Sequence, residues 1–201
     1  MKIAIYGKLR AGKSAVCDYI AEKYDCEILE FGKAVQDSLD IMYPAKKGIK
    51  DRELLVLVGQ HMRKLDEDIW VNVIKHKILN SKAPNILVAG VRQQNEYEML
   101  KELGFIFISV NASETTRVKR CIEAGDKFNL ESLRNPTELV MDGWDADYSI
   151  LNEYGFKELE ISIVNILNSI HSKEVEEAFF KDGIEEFYKR QNAKDGEQGC
   201  K

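Results

Sequence analysis

The chain has 201 residues, of which 44% are hydrophobic and 31% are charged, and its net charge at pH 7 is -5. These values predict one well-packed domain, and the mixture of acidic and basic residues does not indicate a nucleic-acid-binding protein. No apolar run approaches the roughly 20 residues needed to span a bilayer, and residues 1–6 are too short for a signal peptide.

The four cysteines are scattered along the chain, with no CxxC pair and no histidine at a ligand spacing. Reduced thiols explain this pattern better than disulfides or a zinc site. We therefore expect a cytoplasmic protein. From its charge distribution and the lack of a long apolar run, we expect small-molecule nucleotide substrates as partners, and neither a membrane nor a nucleic acid. Whether the protein forms a homodimer is left open.

Short apolar runs alternate with helical patterns along most of the sequence. The predicted strands cover residues 2–6, 26–31, 85–89, 105–110 and 147–151. The predicted helices cover residues 13–23, most of 33–82 with a break at 44–48, 94–103, a segment from 113, and 159–170. This alternation predicts a three-layer α/β fold with a five-stranded parallel sheet, and we expect the strand over residues 2–6 at its centre.

Residues 7–14, GKLRAGKS, fit the phosphate-loop pattern GxxxxGK[ST] at every fixed position, between a predicted strand and a predicted helix. Gly7 and Gly12 let backbone N–H groups turn toward a polyphosphate at the positive end of a helix. Lys13 can reach the β- and γ-phosphates, and the Ser14 hydroxyl can contact Mg²⁺. We therefore predict a P-loop domain that binds ATP with Mg²⁺. The predicted binding residues are Gly7, Lys8, Leu9, Arg10, Ala11, Gly12, Lys13 and Ser14.

Arginines outside this loop are candidates for contacts with phosphate. Arg92 follows the third strand at the edge where open α/β sheets bind ligands, and its guanidinium could hold a monophosphate by two parallel hydrogen bonds. Arg117 and Arg120 lie three residues apart, on one face of a helix that Ser113 is predicted to cap. Together with Lys13, these three arginines are the predicted catalytic residues. The alternative for each arginine is a solvated surface charge.

Three further stretches, taken with the phosphate loop, resemble the deoxynucleoside monophosphate kinases of bacteriophage type, within the nucleoside monophosphate kinase group. Residues 62–71, MRKLDEDIWV, resemble the segment G-R-x-[IL]-D-x-D-x-W-V of that family. Residues 91–96, VRQQNE, match V-R-x-x-N-E, and residues 147–153, DYSILNE, match D-Y-x-I-x-N-[DE]. The resemblance covers roughly residues 1–170 and depends on the order and spacing of these motifs.

The resemblance implies transfer of the γ-phosphate of ATP to a nucleoside or deoxynucleoside monophosphate. It implies a kinase-like domain over residues 1–171, with an acceptor-binding helical region at 33–82 that contains Arg63. It also implies a lid at residues 113–135, carrying Arg117 and Arg120, that closes over the donor phosphates. If those two arginines are only surface charges, Lys127 and Arg134 are the next candidates on the same stretch. Trp70 could stack on the acceptor base, although a Trp on an amphipathic helix is more often part of the core.

Two positions depart from the family pattern. Gly90 and Lys33 stand where family members usually carry aspartates, and such carboxylates are natural partners for Mg²⁺. The candidates to replace them are Asp37, Asp66, Asp68 and Glu96. Two alternatives to a nucleotide kinase therefore stay open. One is a degenerate kinase-like module that binds nucleotide in a regulatory or interaction role. The other is a kinase for another small phosphorylated acceptor such as dephospho-coenzyme A.

The C-terminal region differs in character from the rest of the chain. Residues 172–191 carry apolar side chains at helical spacing and predict an amphipathic helix, weakened by Gly183. Residues 192–201 contain almost no apolar side chain, which predicts a disordered tail.

Overall fold

In the computed structural model, residues 1–49, 51–125 and 140–176 are described. The chain divides into two compact units, Met1–Glu160 and Ile161–Lys201. In the second unit, residues 161–176 are helical, and its buried side chains include Ile163, Ile166, Leu167 and Ile170. The predicted helix over residues 172–191 is described only as far as 176, and the tail over 192–201 lies outside the described residues.

The first unit contains five strands and at least six α-helices within its described residues. The strands are β1 (Lys2–Tyr6), β2 (Cys26–Glu30), β3 (Asn85–Val91), β4 (Ile106–Asn111) and β5 (Tyr148–Leu151). The helices are α1 (Lys13–Lys23), α2 (Phe31–Met42), α3 (Arg52–Leu65), α4 (Ile69–Asn80), α5 (Gln94–Glu102) and α6 (Glu114–Glu123). Short 3₁₀ turns cover Pro44–Lys46 and Met141–Gly143. No helix in the described part of the chain has the length and apolar character needed to cross a membrane.

The five strands form one parallel sheet in the order β2-β3-β1-β4-β5. In β1, Ile3 lies opposite Leu87 of β3 and Ile106 of β4, and every residue of β1 after Lys2 is buried. A parallel strand covered on both faces is expected to be apolar throughout, and the sequence of β1 has this character. The predicted α/β fold and the central position of β1 are confirmed.

Several element boundaries differ from the predicted ones by one or two residues. A shift in register between Ile5 and Tyr6 lets β3 continue to Val91, two residues further than predicted. Strand β4 begins at Ile106 rather than at residue 105, because the Phe105 N–H donates to the Leu100 carbonyl and still belongs to the turn that ends α5. The predicted helical region at 33–82 consists of α2, α3 and α4. The first two helices are separated near the expected break, and a second break at residues 66–68, which was not predicted, separates α3 from α4.

Aromatic side chains fill the core where the ends of β1 and β4 meet α5. The rings of Tyr97 and Trp144 are stacked, with centroids 4.9 Å apart, and Tyr6 meets Trp144 edge to face at 5.3 Å. The Tyr6 hydroxyl donates to the Trp144 carbonyl at 3.2 Å. These contacts hold the segment before β5 against the central strand β1.

Candidate functional site

The loop over residues 7–14 connects the carboxyl end of β1 to the start of α1. Gly7 has φ 148° and Gly12 has φ 109°, a region that side-chain-bearing residues rarely adopt. A Cβ at Gly7 would lie 2.2 Å from the Val110 carbonyl oxygen, and one at Gly12 would lie 2.1 Å from Asn152 Nδ2. Both glycines of the pattern are therefore required by close approach as well as by backbone conformation.

Lys13 and Ser14 form the first turn of α1, directly after this loop. The Lys13 ammonium donates to the carbonyls of Gly7 at 2.7 Å and Lys8 at 3.0 Å, so it lies against the loop, within reach of a phosphate bound there. The first turn of α1 contains no acidic residue, which leaves the positive end of the helix available to an anion. Ser14 is exposed, and Lys8 is held by Asp142 at 2.8 Å.

Arg117 and Arg120 both contact the phosphate loop from α6. Arg120 Nη1 donates to the carbonyls of Arg10 and Ala11, each at 3.3 Å. Arg117 is buried, with 4% of its surface exposed, and its Nη1 donates to the Leu9 carbonyl at 3.4 Å. The two arginines thus share one helix face, as their spacing predicts, and the Ser113 side chain caps that helix by accepting from the Thr116 N–H.

Both arginines donate to backbone carbonyls of the loop, and Arg120 donates to Asn152 as well. A role for them in the transition state as lid cations stays a prediction. The remainder of the predicted lid, including Lys127 and Arg134, lies outside the described residues.

Glu96 contacts the side chain of one arginine predicted to bind the acceptor, Arg63, and the backbone of the other, Arg92. Its side chain is almost fully buried, with 1% of the residue exposed. One carboxylate oxygen accepts from Arg63 Nη2 at 3.0 Å, and the other accepts from the backbone N–H groups of Arg92 at 2.8 Å and Gln93 at 3.2 Å. Burial raises the pKa of the Glu96 carboxyl, and the Arg92 N–H and the charge of Arg63 oppose that rise.

Arg92 itself leaves the sheet beside the phosphate loop. Tyr6, the last residue of β1, is paired with Val91, the last residue of β3. Gly7 and Arg92 are therefore the residues that directly follow two adjacent strands. The Arg92 side chain is exposed at this edge. The structure therefore places Arg92 and the start of the phosphate loop side by side, and Glu96 links Arg63 to the same edge.

Two of the acidic residues that were candidates for metal binding, Asp37 and Glu96, have both carboxylate oxygens engaged within the protein. Asp37 accepts from Lys33 at 2.8 Å and Lys77 at 3.2 Å, and the hydrogen bond from Lys33 is the main reason that the pKa of Asp37 is lowered. Both oxygens of Glu96 already accept N–H donors, so the structure does not support Glu96 as a metal ligand.

Asp66 and Asp68 are exposed, and the side chain of each accepts one of the described hydrogen bonds. Asp66 accepts the backbone N–H of Asp68, and Asp68 accepts Asn95 Nδ2 at 2.8 Å. Across residues 1–49, 51–125 and 140–176, no group of three or more His, Cys, Asp or Glu side chains is arranged to hold a metal ion. The chemistry of this donor set still fits Mg²⁺, because that ion keeps several waters and needs few protein ligands when phosphates supply the others. Ser14 is the side chain placed to contribute.

The proposed base contact of Trp70 is corrected by the structure. Only 3% of Trp70 is exposed, and its indole N–H donates to the Gly59 carbonyl at 3.1 Å, which joins α4 to α3. Trp144 is likewise buried, and its indole N–H donates to Gln94 Oε1 at 2.7 Å. A ring enclosed in this way cannot stack on a ligand, so both tryptophans belong to the core.

Asn152 contacts the phosphate loop, although no role was predicted for this residue from the sequence. It is 6% exposed, and its Nδ2 donates to the Ala11 carbonyl at 2.9 Å. The available signal was the D-Y-x-I-x-N pattern, which places an asparagine just after a strand that runs parallel to β1. The pattern does not indicate which atoms that asparagine would meet.

A central parallel strand that leads through a glycine loop into a helix N-terminus defines a P-loop nucleotide-binding domain. Residues 3–132 match the protein family described as AAA domain, and the chain belongs to that family. It is also 29% identical over 106 residues to the uncharacterized protein ORF77 of Ictalurid herpesvirus 1 (strain Auburn). That match covers 51% of this chain and 46% of the viral protein, so the similarity spans less than half of the relative's length.

Several solved structures share the fold at low sequence identity. TT1252 from Thermus thermophilus aligns with a TM-score of 0.56 and 16% identity, over 84% of this chain and 96% of its own. Shikimate kinase from Acinetobacter baumannii, in complex with shikimate, aligns with a TM-score of 0.52 and 18% identity, over 84% and 93%. A gluconokinase from Sinorhizobium meliloti 1021 aligns with a TM-score of 0.54 and 17% identity, over 86% and 96%.

Proposed function

We propose that the protein is an ATP-dependent phosphotransferase whose acceptor is a nucleoside or deoxynucleoside monophosphate. The observation that carries the proposal is the link through Glu96, which holds Arg63 and the Arg92 backbone together at the sheet edge next to the phosphate loop. A site with one polyphosphate cradle and a separate pair of arginines suits two phosphorylated ligands better than one.

The residues divide into a donor side and an acceptor side. On the donor side, loop N–H groups and the α1 N-terminus bind the ATP phosphates, and Lys13 neutralises charge on the β- and γ-phosphates. Ser14 would hold Mg²⁺ together with phosphate oxygens, and the ion would supply further neutralisation of that charge. On the acceptor side, Arg92 and Arg63 bind the monophosphate and orient its oxygen toward the donor.

The structural neighbours support transfer to a small molecule. Two of them are named as a shikimate kinase, solved in complex with shikimate, and a gluconokinase. The preference for a phosphorylated acceptor depends on this chain's own arginines and on its resemblance to the nucleoside monophosphate kinases.

A nucleotide-binding module without transfer activity is the second candidate. Gly90 and Lys33 stand where the resembled family carries acids, and Lys33 forms an ion pair with Asp37. A binding module does not need carboxylates at these positions, whereas a kinase that lacks them must depend on Ser14, phosphates and water to hold the metal ion.

One assay separates these functions. ADP release from ATP and Mg²⁺ is followed by a coupled reaction with each of the eight common nucleoside and deoxynucleoside monophosphates. We expect release with at least one acceptor, and loss of that release in Lys13→Ala but not in Lys23→Ala, an exposed lysine at the other end of α1. ATP binding is measured in parallel by the shift in melting temperature. Binding of ATP without turnover on any acceptor would favour the module.

A further inference from the structure

A loop that binds phosphate must point its N–H groups at the ligand and its carbonyls away, because an inward carbonyl oxygen repels the anion. The carbonyls that turn away need donors of their own when they are shielded from water. In this protein, the carbonyls of Leu9, Arg10 and Ala11 all accept hydrogen bonds from side chains outside the loop.

Two side chains account for most of these bonds. Arg120 Nη1 donates to Arg10 and Ala11, and Asn152 Nδ2 donates to Ala11 at 2.9 Å. The same two side chains are joined to each other, since Arg120 Nη2 donates to the Asn152 carbonyl at 2.9 Å and to its Oδ1 at 3.3 Å. We call Arg120 and Asn152, with these contacts, the loop brace.

The bond from Arg120 also fixes the orientation of the asparagine amide. An amide has one donor side and one acceptor side, and Arg120 occupies the acceptor oxygen, which leaves the NH₂ group for Ala11. The backbone of Asn152 is anchored in turn, because its N–H donates to the Asn111 carbonyl at the end of β4 at 2.7 Å. The brace thus connects the loop to α6 and to the β4–β5 edge of the sheet.

We propose that Arg120 and Asn152 are positioning residues that hold the phosphate loop with its carbonyls outward and its N–H groups ready for a nucleotide. The proposal rests on the proposed binding of ATP at this loop. Arg120 then acts through the backbone of Arg10 and Ala11 rather than by touching the transferred phosphate. Asn152, which carries no charge, has the same role as the arginine.

Dissociation constants for ADP and ATP test the proposal. Arg120→Ala and Asn152→Ala should each weaken binding of both nucleotides by about tenfold, and by the same factor for each nucleotide, because both place their β-phosphate in the loop. The double variant should lose less than the product of the two single effects, since the side chains form one unit. Asn152→Asp keeps the shape but sets a carboxylate oxygen against the Ala11 carbonyl in place of a donor, so it should weaken binding at least as much as Asn152→Ala.

The control is Asn111→Ala, whose side chain bonds to the hydroxyls of Ser109 and Ser149 at the same sheet edge and not to the loop. Its nucleotide affinity should equal that of the wild type. A direct role for Arg120 in the transition state predicts a different pattern, namely a lower kcat in Arg120→Ala, unchanged ADP affinity, and no effect of Asn152→Ala. That pattern would overturn the proposal.

A second measurement does not depend on nucleotide. The Ala11 N–H donates to the Lys8 carbonyl within the loop, so its hydrogen exchange in the nucleotide-free protein reports how firmly the loop is held. Exchange should be several-fold faster in Arg120→Ala and Asn152→Ala and unchanged in Asn111→Ala. If the wild type bound neither ADP nor ATP, the proposed function would fail. The exchange rate of the Ala11 N–H would then be the measurement that tests whether Arg120 and Asn152 hold the loop. Equal exchange in folded brace variants and wild type would contradict the brace.

Discussion

Arg63 and Glu96 form an ion pair at 3.0 Å, with the carboxylate side chain 2% exposed and the arginine side chain 27% exposed. The buried carboxylate accepts from one guanidinium nitrogen, Nη2, and the arginine side chain stays partly exposed. Because both Glu96 oxygens are engaged by N–H groups, a change at this position alters the orientation of Arg63 and of the chain at Arg92 together.

Glu96→Gln should raise the KM for the monophosphate by about tenfold with a smaller effect on kcat, because a misplaced arginine weakens binding in ground state and transition state alike. Steady-state kinetics with the acceptor varied at saturating ATP measures this. Glu98→Gln is the matched control, since Glu98 is exposed on the same helix and bonds only to Gln94 among the contacts described. Unchanged KM values in a folded Glu96→Gln protein would show that the pair is purely structural.

The same carboxyl should make stability depend on pH. Burial raises the pKa of Glu96 above its ordinary value of 4.5, so between that value and the raised one the folded chain holds more protons than the unfolded chain. The free energy of unfolding therefore falls as pH rises through this window, and the glutamine variant lacks this contribution. Urea denaturation from pH 4 to 8 should show the wild type losing stability relative to Glu96→Gln as pH increases. A difference that grows in favour of the wild type would mean that Arg63 outweighs burial.

Arg92→Ala should chiefly raise the acceptor KM, because a phosphate contact acts before and during the reaction. Arg92→Lys should restore only part of the loss, since an ammonium cannot make the planar two-point contact. Acceptor KM values for the three proteins, with ATP affinity measured alongside, test this. Full recovery with lysine would show that charge alone is needed at this position, and a changed ATP affinity would place Arg92 on the donor side.

Replacing each of the two loop glycines by alanine should have a different effect on stability and nucleotide binding. In Gly7→Ala the new methyl group meets the Val110 backbone oxygen, which cannot move without disturbing β4, so both the fold and nucleotide binding should suffer. In Gly12→Ala it meets the Asn152 side chain, so binding should be lost with a smaller fall in melting temperature. Removing that side chain in Gly12→Ala/Asn152→Ala should not restore binding, because the positive φ remains strained for alanine. Restored binding would show that the clash alone matters.

Trp70→Phe should lower stability by about 1–3 kcal/mol, because it leaves the buried Gly59 carbonyl without its indole donor. Its KM for the acceptor should stay within about twofold of the wild type, as expected of a core residue whose ring does not touch the ligand. Urea denaturation and steady-state kinetics on the same preparation provide both quantities. A large increase in KM at nearly normal stability would restore the hypothesis that this ring stacks on the base.

The phosphate loop and the sheet could be predicted because they depend on local signals. The spacing of Gly7, Gly12, Lys13 and Ser14 fixes a loop conformation over eight residues, and the apolar run over residues 2–6 is sufficient to indicate a strand buried on both faces. The break in the helical region over residues 33–82 could be predicted from Pro44, where the structure has a 3₁₀ turn between α2 and α3.

The partners of the polar side chains could not be predicted in the same way. The spacing of Arg117 and Arg120 shows that they share a face of α6, but which surface that face meets depends on how β4 and β5 place the helix. Trp70 has the same limitation, because its helical pattern does not indicate whether the apolar side packs inward or lines a cleft. Asn152 and Ala11 are 141 residues apart, and no local pattern joins them.

This last separation limits how the chain can be divided. The family match ends at residue 132, before β5 and the asparagine that donates to Ala11. A fragment cut at that boundary would keep every residue of GKLRAGKS and lose one of the donors that hold its backbone. The shortest piece of the protein that can present the loop as observed must therefore extend through β5 to Asn152, and a graft of the eight residues alone would carry the motif without the conformation.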